Sequence, residues 1–215
     1  MSQLVNVKVN CPECGSENDF RMWKSINTER EHAIPDIISG RLFEMTCRRC
    51  GKTSRMDYPM LFNDMRDNMW IWYVMDDHLT PEFEKELRES RHMIHGRTRV
   101  VFSQPVLREK TDIISHGLDD RVVELMKVCV DQHFSSTYND EIIMQCFCHV
   151  EEDNFRFELV TEKNSYSVSI ERNVYDELAD AFREELQEYG DDDFVVDENW
   201  VDDFLDFCDR EGLDE

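Results

Sequence analysis

The chain has 215 residues and carries 24 Lys plus Arg against 48 Asp plus Glu, a formal net charge of −24. At 40% hydrophobic and 11% aromatic it holds enough apolar side chain for one large or two small cores, which excludes an acidic disordered chain. The longest apolar run, Met69 to Met75, falls far short of the roughly 20 residues of a spanning helix, and the summed charge opposes passive attraction to DNA, RNA or anionic lipid.

The N-terminal stretch Met1 to Lys8 lacks a basic flank followed by a long apolar segment, so the expected location is the cytoplasm. Val5 to Val9 alternates as a short strand and runs into Cys11-Pro12-Glu13-Cys14-Gly15. Phe20 to Ile26 reads as a second strand, and Pro35 to Gly40 as a short helix with Pro in its first turn and Gly at its end. Leu42-Phe43-Glu44-Met45 then alternates into Cys47-Arg48-Arg49-Cys50-Gly51.

Two residues between thiolates let both sulfurs of a pair turn toward one ion, and the Gly that follows permits a left-handed backbone. Two matched pairs after strands predict a zinc ribbon, with one structural zinc held by Cys11, Cys14, Cys47 and Cys50. The 32 residues between Cys14 and Cys47 exceed a simple ribbon's loop, which is why that loop carries structure of its own. Disulfides or a redox dithiol are the competing reading; a cytosolic chain seldom keeps structural disulfides, and a thioredoxin-like site needs one pair in a βαβ setting. A closed four-thiolate site has no open position for water, so it folds a domain and does not catalyse. Its net charge of about −2 would be offset by Arg48, Arg49, Lys52 and Arg55, which crowd the second pair.

Further along, Met69 to Met75 is a buried strand, and Thr80-Pro81-Glu82-Phe83 opens a helix reaching toward Ile94. Arg97 to Phe102 is another strand. A helix opening at Leu118-Asp119-Asp120 carries Val122, Leu125, Met126, Cys129 and Val130 at helical spacing, placing Cys129 in the core. Ile142 to Val150 alternates, with Cys146 and Cys148 on one face and His149 on the other; this favours core over a metal or redox site. Phe155–Leu159 and Tyr166–Ile170 complete a three-stranded antiparallel meander. Two helices close the chain, one from Val174 to Tyr189 ending at Gly190 and one bearing Trp200, Phe204, Phe207 and Cys208.

The first half resembles the CpXC domain family. The matching stretches are Cys11 to Gly15, Ser25 to Asn27, Ile34 to Phe43, Cys47 to Gly51 and Tyr58 to Asp64, with echoes at Val100 to Phe102 and Gly117 to Lys127. Together they cover roughly residues 5–130, and the chain departs from the family's second Cys-Pro-x-Cys by having Arg48 in place of Pro. The resemblance implies a zinc-bound fold with Cys11, Cys14, Cys47 and Cys50 as ligands, and carries no assigned activity.

The expected fold is α+β: a CpXC-like zinc-binding domain over residues 1–135, and an acidic unit of antiparallel meander plus two helices over 136–215. Residues 1–110 hold 17 basic and 17 acidic side chains, so all the excess charge lies in residues 111–215. The preferred function is a structural-zinc interaction or regulatory protein whose acidic half meets a protein partner. The first alternative is nucleic-acid binding through Arg48, Arg49, Lys52 and Arg55. The second is an enzyme whose cleft gathers His92, His95, His133 or His149 with cysteines, although no Gly-rich phosphate loop, nucleophile elbow or His-Glu-x-x-His supports catalysis. His92 and His95, three apart, are also the candidate for a second metal site. Asp191 to Asp193 lacks the spaced ligands of a calcium loop. The sequence sets no oligomeric state.

Overall fold

The computed structural model describes residues 2–90, 96–138 and 140–211, with the side chain of residue 211 left aside. It is an α+β protein with ten strands and seven α-helices among the described residues. Two compact units divide it, Met1–Thr111 and Asp112–Glu215. No helix among the described residues is long and apolar enough to cross a membrane.

The first unit is built on a mixed five-stranded sheet in the order β1 (Gln3–Asn10), β2 (Glu17–Asn27), β5 (Met60–Asp64), β6 (Met69–Tyr73), β7 (Arg97–Val101). β1/β2 and β5/β6 are antiparallel; β2/β5 and β6/β7 are parallel. Register places Ile26 beside Phe62 and Phe62 beside Ile71, all at most 1% exposed, so the alternating apolar residues of three strands meet in one buried row. The helix α2 (Pro81–Ser90) begins as its sequence requires, Thr80 Oγ1 accepting from the Phe83 amide at 3.3 Å, and it lays Phe83 against Trp72 at 5.7 Å between ring centres. Its expected extension toward Ile94 lies outside the described residues.

The loop after β2 holds α1 (Ala33–Ile38) and a 3₁₀ turn over Arg41–Phe43, then the short hairpin β3 (Glu44–Thr46) and β4 (Thr53–Arg55). Leu42 and Phe43, expected in a strand, belong to that turn instead, because Phe43 is wholly buried against Tyr58 and Tyr73. Tyr58 also packs edge-on to Phe20 of β2 and donates to the Leu42 carbonyl at 2.9 Å. Burial pushes its phenol up to about 12. This aromatic nucleus fastens the small hairpin to the large sheet.

The second unit packs α4 (Asp120–Thr137) on the antiparallel sheet β10 (Ser165–Glu171), β9 (Asn154–Thr161), β8 (Ile142–Glu151). Val123, Met126, Val130 and Phe134 meet Phe147, Phe155, Phe157 and Leu159 there. Val122 and Leu125, a third of a turn away, meet Leu186, Trp200 and Phe204 from α6 (Arg183–Tyr189) and α7 (Glu198–Glu211). Both faces of α4 are therefore used. The dividing line between the units falls within α3 (Gln104–Ser115), which the sequence pattern did not announce.

Three further elements depart from the sequence pattern. Cys129 is exposed, not core, because the buried stripes of α4 pass to either side of it. The strict alternation read into β8 is broken by irregularities at Ile142/Met144 and Phe147/His149. Phe147 is the buried residue of that strand, and Cys146 opposite Glu158 shares the far side with His149 opposite Arg156. The helix expected from Val174 to Tyr189 breaks at Phe182 into α5 (Arg172–Ala181) and α6.

Candidate metal centre

Both Cys-x-x-Cys segments occupy hairpin turns of the same construction. The first links β1 to β2 and the second links β3 to β4. In each, the first cysteine's amide donates to the carbonyl five residues on, Cys11 to Ser16 and Cys47 to Lys52, both at 2.9 Å. In each, the glycine amide donates back to the first cysteine's carbonyl at 2.9 Å, Gly15 to Cys11 and Gly51 to Cys47. The glycines have φ of 69° and 72°, the left-handed conformation that the return requires.

The turns bring Cys11, Cys14, Cys47 and Cys50 together, their Sγ atoms all within 4.8 Å of one another. Cys11 lies 3.7 Å from Cys50 and Cys14 lies 3.7 Å from Cys47. A disulfide would need about 2.05 Å, so all four are free thiols. An ion about 2.3 Å from four tetrahedral sulfurs sets them about 3.8 Å apart along each edge. Both of these edges have that length, so the donor set fits a tetrahedral metal ion. Cys11 and Cys47 are 2% and 1% exposed, Cys14 is half-buried and Cys50 is exposed.

The polar groups around the sulfurs are unevenly shared. Ser16 Oγ lies 3.1 Å from both Cys14 Sγ and Cys47 Sγ. Cys47 Sγ also receives the Arg49 amide at 3.4 Å and Asn18 Nδ2 at 3.6 Å. The Ser16 contact, with these and the Cys50 amide, pulls the Cys47 thiol down to about 5. Cys14 is lowered by Ser16 in the same way. For Cys50 the Lys52 amide acts downward, but desolvation and the neighbouring sulfurs outweigh it and push the thiol up to about 11. The cluster thus eases thiolate formation at Cys47 and Cys14 and opposes it at Cys50.

Arg48, Arg49, Lys52 and Arg55 are all exposed around the second turn. Arg48 Nη1 pairs with Asp19 Oδ2 at 3.3 Å, and Asp19 also takes Lys8 at 2.5 Å. The basic group is therefore partly neutralised by the first hairpin.

Among the described residues no other group of three His, Cys, Asp or Glu ligand atoms converges. Cys146 and Cys148 are half-buried and turn toward the Phe147 and Cys146 carbonyls, while His149 and His133 are exposed. His92 and His95 lie outside the described residues. Sequence reasoning missed Ser16 and Asn18; the signal was their place, five and seven residues after the first cysteine, in a turn whose backbone repeats in the second.

The family described as CpXC protein matches residues 9–127 of the chain. No curated protein and no solved structure matches it.

Proposed function

The chain belongs to the CpXC family, and on that premise we propose that it is a zinc-stabilised interaction or regulatory protein of the cytoplasm. Cys11, Cys14, Cys47 and Cys50 hold one structural Zn²⁺ in a zinc-ribbon arrangement, and the acidic second unit meets a protein partner. The observation that carries the metal reading is the pair of 3.7 Å sulfur edges in a donor set of four free thiols. A four-sulfur site is closed to water, which supports a folding role over catalysis. Metal analysis of the purified chain is expected to return about one zinc per molecule. Iron in its place would keep the ligand set and change the metal, since tetrahedral sulfur suits both; no bound metal would remove the reading.

A second reading, nucleic-acid binding through Arg48, Arg49, Lys52 and Arg55, is supported by the exposure of all four side chains on a unit without net charge. It requires binding that weakens steeply with salt and disappears when Arg48 and Arg49 are changed to Glu. No binding at low salt removes it.

A further inference from the structure

The two turns superpose in construction but not in side chains. Positions five and seven residues after the leading cysteine are Ser16 and Asn18 in the first turn, Lys52 and Ser54 in the second. Ser16 reaches both Cys14 and Cys47. Asn18 is 4% exposed and spends its amide on both turns: Nδ2 donates to the Ser16 carbonyl at 2.9 Å and to Cys47 Sγ at 3.6 Å, and Oδ1 accepts the Arg48 amide at 2.9 Å. Lys52 is exposed, and among the described residues neither Lys52 nor Ser54 sends a side-chain hydrogen bond to a sulfur. One edge of the sulfur tetrahedron, Cys14–Cys47, is thus clasped across the turns. The opposite edge, Cys11–Cys50, has no such side-chain clasp across the turns among the described residues, and Cys50 is its exposed end.

We propose that Ser16 and Asn18 are positioning residues that latch one side of the metal centre, so that metal leaves and competing ligands enter by the Cys11–Cys50 edge, with Cys50 displaced first. This rests on the reading that the four thiols hold a metal. A sulfur hydrogen-bonded by side chains that bridge both turns is fixed in direction, and its ligand bond re-forms faster than it is lost to a competitor; the solvent-facing Cys50 sulfur, held by the Lys52 amide of its own turn, is less restrained.

The test uses the full zinc-loaded chain in excess EDTA, following zinc release and labelling cysteines in pulses with iodoacetamide for peptide mapping. Among the four ligands, wild type is expected to label at Cys50 first and at Cys47 last. Asn18→Ala and Ser16→Ala are expected to release zinc ~10–100-fold faster, with Cys47 labelling moved forward, whereas the mirror variant Ser54→Ala releases at the wild-type rate. If Asn18→Ala fails to load metal, Ser16→Ala decides. Cobalt loading gives a further readout, because a displaced sulfur alters the thiolate-to-cobalt absorption where a mere loss of stability does not. Equal acceleration by the mirror variant Ser54→Ala, or wild-type release from Ser16→Ala and Asn18→Ala, overturns the latch alone. A wild-type chain that takes up no metal overturns the four-thiol reading, and the latch with it.

Discussion

Cys47→Ser removes the sulfur with the most donors, 1% exposed and contacted by Ser16, Asn18 and Arg49. A structural zinc site contributes an apparent 10–16 kcal/mol or so, so one ligand of four carries about 2.5–4 kcal/mol. At about 1.4 kcal/mol per decade, zinc affinity should fall by roughly two to three decades. The structural consequence should be local. β3 and β4 pair through only three residues each, too little to stand without help. The row of Ile26, Phe62 and Ile71 does not depend on the sulfurs and should persist. The assay is competitive zinc titration together with hydrogen exchange resolved by segment. Expected are loss of zinc at a chelator concentration the wild type withstands, and fast exchange in Glu44–Arg55 with β5 and β6 still protected. Cys129→Ser, on an exposed face of α4, should change neither. A Cys47→Ser chain with wild-type zinc affinity would refute the ligand assignment; a hairpin still protected without zinc would refute the structural role.

Three further substitutions probe the packing. Phe157 is 0% exposed with its ring 5.6 Å from that of Phe147, so Phe157→Ala should cost about 3–5 kcal/mol in denaturant unfolding of the second unit, and a loss under about 1 kcal/mol would contradict the core. Gly96 has φ of 133° and an added Cβ would sit 1.8 Å from the Asn68 carbonyl oxygen; Gly96→Ala should therefore lower the melting temperature, at a cost of order 1–3 kcal/mol or above, and an unchanged melt would refute the close approach. Asp112 is 5% exposed with Oδ2 buried and unbonded, and desolvation raises its carboxyl against the lowering effect of His116 and His149. Its folded form holds the proton more tightly than the unfolded one, so stability falls as pH rises from the ordinary value of 3.8 through the raised one. Asp112→Asn should then stabilise at pH 7 by an amount that vanishes below that window, and a gain independent of pH would sink the explanation.

The two turns were legible because their chemistry is local: Cys-x-x-Cys-Gly dictates the backbone wherever it occurs, and the strands leading in alternate. The helix α3 was not, since its buried residues include Glu109, Lys110, Thr111 and Asp112, which pattern reading assigns to solvent. β8 misled for the opposite reason. Its composition alternates well, but two bulges shift the register, and a shift of one residue turns a side chain to the other face. Cys129 fell between two stripes of a helix buried on both sides, where a single periodic stripe was assumed. Ser16 and Asn18 escaped because their role depends on a partner turn 30 residues away in sequence, as with Asn18 and Arg48.

The charge division found in the sequence coincides with the structural one, since Met1–Thr111 has no net charge and Asp112–Glu215 carries all −24. In that second unit seven cations face 31 carboxylates, and most of the seven are already engaged: Arg121 with Asp119, Lys127 with Glu124, Arg156 with Glu151, Arg183 with Asp180. Like charges also stand one turn apart at Asp176/Asp180, Glu184/Glu188, Glu198/Asp202 and Asp202/Asp206 within α5, α6 and α7. At about 0.2–0.5 kcal/mol each, these four pairs oppose folding by about 1–2 kcal/mol at low salt. The paired carboxylates are closer than the Debye length of about 8 Å at 0.15 M, so screening should recover roughly half of it. Hydrogen exchange at ~10 mM and ~150 mM salt should therefore show the second unit gaining protection on that scale while β1, β2, β5 and β6 scarcely change. A basic partner docked on α5 to α7 would relieve the same repulsion, so salt should weaken that binding while it strengthens the free unit. Equal salt gains in both units would mean that the excess carboxylates are too far apart, or too well solvated, for their repulsion to matter.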